Sequence, residues 1–208
     1  MIDGVNALNR LCDGNRRFVS GQPSLESLVT QTKRAELVAG QHPFAIILGC
    51  SDSRVPAEIV FDQGLGDLFV IRVAGNIVAP SQVGSVEFAA AQFGTRLVVV
   101  LGHSACGAVG ATIQQLQRPS AEQSQNIKAI VDRIRPAVEG LMATDLKDQP
   151  AALLQQAVRA NVRASANHLR HGSAVLESLI HNDGLLVVGA EYSLETGVVD
   201  FFDGVPER

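Results

Sequence analysis

Two short stretches, "LGCSDSRVP" (48–56) and "LGHSACGA" (101–108), concentrate the side chains able to do chemistry. Cys50, His103 and Cys106 offer thiolate, imidazole and thiolate, a ligand set that suits zinc at roughly 2.0–2.3 Å. The number of ligands matters. A structural zinc site usually closes with four protein ligands, whereas three leave a position for water, whose pKa the metal lowers to about 7. Cys12 falls on a helical stripe and reads as core. His42 sits at the opposite end of the first strand from Cys50, so neither residue closes the set.

Asp52, two residues beyond Cys50, is suited to accept a hydrogen bond from a metal-activated hydroxide and orient its lone pair. Arg54, two further on, can hold Asp52 ionised by a bidentate pair and keep it off the metal. Singly, each signal has an ordinary explanation. A Cys after a strand is usually a small core residue, and Asp-x-Arg in a turn is usually a surface or capping pair. Their joint placement after two apolar runs makes the chemical reading. The glycines of "GHSACGAVGA" suggest a phosphate cradle, but Ala108-Val109 replaces the Lys-Ser/Thr of a P-loop, and a dinucleotide fingerprint would lack its middle glycine.

The elements that must position these residues follow from periodicity. "FAIIL" (44–48), "LFVIRV" (68–73), "LVVVLG" (97–102) and "LLVVGA" (185–190) are short branched runs, apolar on both faces, as in central parallel strands. "TGVVDFF" (196–202) reads as a last strand returning from a turn at Thr196-Gly197. Helical patterns lie at 83–93, 105–116, 127–141, 151–169 and 173–180, and Pro136 is expected to bend or divide its segment. Val5, Leu8, Leu11, Cys12, Phe18 and Val19 recur at helical spacing, and a second pattern covers about 30–38. The expected fold is α/β: a central, mostly parallel sheet of four parallel strands plus a C-terminal edge strand, flanked by helices, with an N-terminal helical arm. Ligands in such sheets bind at the carboxyl ends of strands. The chain reads as one domain, 1–208, with 117–150 a helical excursion.

The 208 residues carry a formal charge of −4 and no basic run, which argues against nucleic acid as a partner. No apolar run reaches the roughly 18 residues of a membrane span, and the N-terminus lacks the order of a signal peptide. The expectation is a cytoplasmic protein, with no membrane partner and thiols kept reduced.

The two motifs together, with "FVIRVAGN" (69–76) and "SVEFAAAQFG" (85–94), resemble the β-class carbonic anhydrases. The match is densest from Gln41 to Gly110 and weakest over 117–180. The resemblance implies a zinc lyase that interconverts carbon dioxide and bicarbonate through zinc-bound hydroxide, with one Zn2+ per chain on Cys50, His103 and Cys106 and an Asp52–Arg54 dyad. It implies substrate contacts from Gln41, Phe69, Phe88 and the Gly107 N–H. Phe88 stands where plant members have tyrosine. It also implies a homodimer or homotetramer, with residues 1–38 wrapped over the partner and Gln41 and Phe69 near the partner's site. Some bacterial members carry a regulatory bicarbonate pocket of Trp, Arg and Tyr; Arg72 and Tyr192 match it, but Ile47 replaces the tryptophan, so an open resting site with Asp52 on Arg54 is expected. Two other functions compete: hydrolysis of carbonyl sulfide or carbon disulfide at the same site, and a non-catalytic zinc or thiol-redox module, which would not need Asp52.

Overall fold

The apolar runs become one five-stranded sheet: β1 (Ala45–Gly49), β2 (Leu68–Arg72), β3 (Leu97–His103), β4 (Leu186–Tyr192) and β5 (Val199–Asp203). The structure is a computed structural model that describes residues 2–24, 31–119 and 124–207. Strand order is β2-β1-β3-β4-β5, with the first four parallel and β5 antiparallel to β4. The turn into β5 uses Gly197 in the left-handed region (φ 75°). β3 is buried at all its positions, which is why its sequence is apolar without alternation.

Successive strand residues point to opposite faces. One face sets Ile47, Val99, Leu101, Val188 and Tyr192 in a cluster with Ala7, Leu8 and Leu11 of α1 (Gly4–Ser20). Asp3 caps α1 by accepting from the Asn6 N–H, and left-handed Gly21 ends it. The apolar stripe of α1 thus packs on the sheet of its own chain. α2 (Gln31–Glu36) runs into a 3-10 turn over Leu37–Ala39, close to the expected second helix, whose first residue lies outside the described residues.

The opposite face packs Ile46, Leu48, Val98, Val100 and Val187 against α4 (Pro80–Gln92), α7 (Pro150–His171) and α8 (Ala174–Asn182). A third cluster lies beyond the strand ends, where α5 (Gly107–Gln117), α6 (Gln125–Val138) and α7 enclose Cys50 and Cys106. α6 is not divided at Pro136; it continues to Val138 and then tightens to 3-10 geometry over Glu139–Ala143. The short α3 (Ala57–Val60) follows the 48–56 turn. Among the described residues no helix is long and apolar enough to cross a membrane.

Candidate metal centre

From β1 the chain moves outward to β2 on one side, while β3, β4 and β5 build the other side. The direction of winding therefore switches between β1 and β3, and the crevice at their carboxyl ends is where such sheets bind ligands. Cys50 follows β1, His103 is the last residue of β3, and Cys106 is the N-cap residue of α5. Their ligand atoms all lie within 4.8 Å of one another, and all three residues are buried. Ala105 makes this possible by adopting a left-handed conformation (φ 54°), which turns the chain between His103 and Cys106. The Ser104 N–H donates to the Tyr192 carbonyl and its hydroxyl accepts from the Leu194 N–H, both at 2.9 Å, pinning that turn to β4.

His103 Nδ1 lies 2.9 Å from the Ser104 carbonyl, which can only accept, so Nδ1 carries the proton. Nε2 is then a bare acceptor, buried and without a hydrogen-bond partner. An orphaned imidazole nitrogen beside two thiols is what a zinc ion would satisfy, so these residues fit the metal. The Cys106 thiol beside Cys50 holds the latter well below the ordinary thiol range, at about 4. Cys50 in turn, with burial, pushes the Cys106 thiol far up. Burial pulls the His103 imidazole down, but the Cys50 thiolate, the Ser104 carbonyl and Asp52 together outweigh it and leave it raised.

Asp52 Oδ2 is 3.8 Å from His103 Nε2, yet the carboxylate faces Arg54. Arg54 donates from Nε to Oδ1 at 2.9 Å, from Nη2 to Oδ2 at 2.7 Å, and from its backbone N–H to Oδ1 at 3.0 Å. That pairing holds the Asp52 carboxyl well below the usual carboxylate range. Three candidate ligand atoms are thus gathered, with a carboxylate restrained by Arg54 beside them.

Sequence reasoning missed several supports. Arg72 holds backbone: its Nε donates to the Cys50 carbonyl at 3.0 Å and its Nη2 to the Asp52 carbonyl at 2.6 Å. Ile47 and Tyr192 are buried within the sheet's core. The Gly75 N–H donates to Cys50 Sγ at 3.3 Å. Glu191, on β4 opposite Gly102, pairs with Arg159 of α7, which also holds Asp200. Two polar residues on the buried stripe of α7, Asn161 and Ser165, were the one sequence signal for these supports.

The expected substrate residues are more scattered. Gly107 opens α5, with open space where a side chain would be. Phe69 stacks with Phe88 and Phe93 at centroid separations of 6.3 and 6.1 Å, on the face of β2 that meets α4. Val73 packs both with that cluster and with the one containing Cys50. Gln41 is exposed before β1, at the end of the sheet away from Cys50, so within one chain it is not part of the centre. Cys12 is half-buried on α1 against the core, as the periodicity predicts.

Comparisons with known proteins agree with this geometry. The family model described as "Carbonic anhydrase" matches residues 45–199. Carbonic anhydrase 2 of Mycobacterium tuberculosis is 37% identical over 198 residues, covering 93% of this chain and 90% of that one. The carbonic anhydrase of Mycolicibacterium smegmatis is 46% identical over 134 residues, 64% of each chain. Among solved structures, the β-carbonic anhydrase CcaA superposes with a TM-score of 0.71 at 26% identity over 98% of this chain and 93% of that one. CafA of Aspergillus fumigatus gives a TM-score of 0.74 at 24% identity, with coverages of 97% and 91%.

Proposed function

Since this chain belongs to the β-class carbonic anhydrases, a family of enzymes that hydrate carbon dioxide, we propose that its reaction is the zinc-dependent, reversible conversion of carbon dioxide and water to bicarbonate and a proton. One observation carries the reading: three ligand atoms within 4.8 Å, one of them the unpartnered His103 Nε2, beside a carboxylate that Arg54 keeps turned away. Cys50, His103 and Cys106 would hold the ion. A bound zinc supplies the Lewis acidity that makes water a nucleophile near neutral pH.

The protein's own residues do the rest. Asp52 accepts a hydrogen bond from the attacking water and points its lone pair at the carbon of carbon dioxide. Arg54 keeps Asp52 ionised and out of the coordination position. Carbon dioxide is neutral and weakly hydrated, so the apolar surface of Phe69, Phe88 and Val73 receives it. The Gly107 N–H and the Gln41 side chain donate to the oxygens that gain negative charge. Gln41 and Phe69 reach a site across the interface of a homodimer or homotetramer. Exposed Phe88 and the outward residues Ile2, Val5 and Val19 of the N-terminal helix region supply apolar surface for such an interface, and the Sordaria macrospora β-carbonic anhydrases are tetrameric. Reduced thiols at the centre suit the cytoplasm.

The test is metal analysis together with stopped-flow carbon dioxide hydration. One zinc per chain is expected, and Cys106→Ser should lose most of the metal and the activity. Zinc-free protein, or zinc retained in Cys50→Ala, would overturn the ligand assignment. Parallel assays with carbonyl sulfide and carbon disulfide decide the substrate; faster turnover of either would replace carbon dioxide.

A further inference from the structure

We propose that Asn161, in the middle of α7, is a positioning residue for the metal centre: it fixes the 74–76 turn so that the Gly75 N–H donates to the Cys50 sulfur. The proposal rests on the metal-centre reading above and extends it to a helix that contributes no ligand.

The Gly75 N–H is 3.3 Å from Cys50 Sγ. Asn161 Nδ2 donates to the Gly75 carbonyl at 2.8 Å, and one helical turn later Ser165 Oγ donates to the Asn76 carbonyl at 3.0 Å. Both donors are buried, Asn161 to 2% exposure. They interrupt a stripe otherwise made of Leu153, Ala157, Val158, Val162, Ala166 and Leu169. Packing alone would place apolar residues there, because a buried amide or hydroxyl is costly unless bonded. Both side chains reach consecutive carbonyls of one turn.

That turn needs holding. Gly75 (φ 69°) and Asn76 (φ 41°) are both left-handed, a sparsely populated conformation that costs least at glycine and asparagine. No side chain fits at position 75, where a Cβ would lie 2.7 Å from Ile134 Cδ1 and 3.1 Å from Ala108 Cβ. Without the two bonds from α7 the turn has little reason to keep its N–H on the sulfur. A donor aimed at a ligand sulfur draws charge off the thiolate and fixes its direction, and loss of such outer partners typically costs about 10–100-fold in metal affinity.

The experiment uses the purified zinc protein and its cobalt-substituted form, with Asn161→Leu, which keeps the branching at Cγ but donates nothing. Zinc release to a chromophoric chelator should be about tenfold faster or more. The thiolate-to-cobalt charge-transfer band should move to lower energy, as expected for a sulfur that has lost its donor. Asn161→Ser, smaller and polar, repeats both measurements should Asn161→Leu not fold, with the same result expected. A lowered melting temperature with an unchanged band and unchanged zinc release would make Asn161 merely structural and overturn the proposal alone. Absence of any thiolate-to-cobalt band in the unsubstituted protein would overturn the metal-centre reading and this proposal with it.

Discussion

Arg54 presents three donors to one carboxylate, and Asp52 beside it lies within 4 Å of a ligand nitrogen. Replacing Arg54 with Ala releases a carboxylate next to a cation, so the variant should keep its zinc but lose turnover by about 100-fold or more as Asp52 takes the open position. Asp52→Asn should leave the position open but replace the charged orienting acceptor with a neutral, weaker one. Near-normal turnover of Arg54→Ala, with metal analysis unchanged, would take the pair out of the mechanism. Glu191, which lies within the field of His103 but is no candidate ligand, offers a test of pH dependence. Burial pushes its carboxyl above the ordinary range, Arg159 pulls it back in part, and Asp200 on the same arginine adds to the rise. A carboxyl with a raised folded pKa stabilises the fold fully below the unfolded value of about 4.3. It loses that contribution as pH rises through the folded value. The melting temperature of Glu191→Gln, compared with the unchanged protein, should therefore move in the variant's favour between pH 4 and 7. A difference flat with pH would count against burial as the cause.

At the scale of elements, Arg72 bridges the end of β2 to the turn after β1, and both of its bonded partners are carbonyls. A lysine is a point charge without the fork geometry and cannot hold both. Arg72→Lys should retain zinc and lower turnover about tenfold by loosening the turn that carries Asp52. With Arg72 committed to that turn and no donor at Ile47, added bicarbonate should not produce cooperative inhibition as pH falls. Steep bicarbonate-dependent loss of rate across pH 6–9 would contradict this. The ligand-bearing elements were legible because apolar runs locate strands, and Cys50, His103 and Cys106 follow those runs directly. Arg72 was not legible, since a bond to a backbone carbonyl has no partner residue type to recognise. Nor was Ala105, because a left-handed turn advertises itself through glycine or asparagine, and alanine is neither. The home of α1 was hidden for another reason: an amphipathic stripe tells which face is buried but not against what.

For the whole molecule, an oligomer is the reading that unites Phe88, 52% exposed within a three-ring cluster, with Val5, 50% exposed on α1. Phe88→Asp should shift sedimentation toward monomer and lower turnover together. A monomer in the unchanged protein would end the idea that one chain completes the other's site. The buried Asn15 of α1 has a different consequence. Its Nδ2 donates to the Val60 and Gly197 carbonyls, and its Oδ1 accepts from the Val199 N–H, 184 residues away in sequence. A helix synthesised first thus waits for the last strand before its amide has all its partners. Closing so long a loop is slow, so the last bonds that seat α1 belong to the end of folding and not its start. A nascent chain halted before Gly197 would then hold a first helix whose Asn15 amide is only partly bonded, and trimming the last strand would loosen that helix on the sheet.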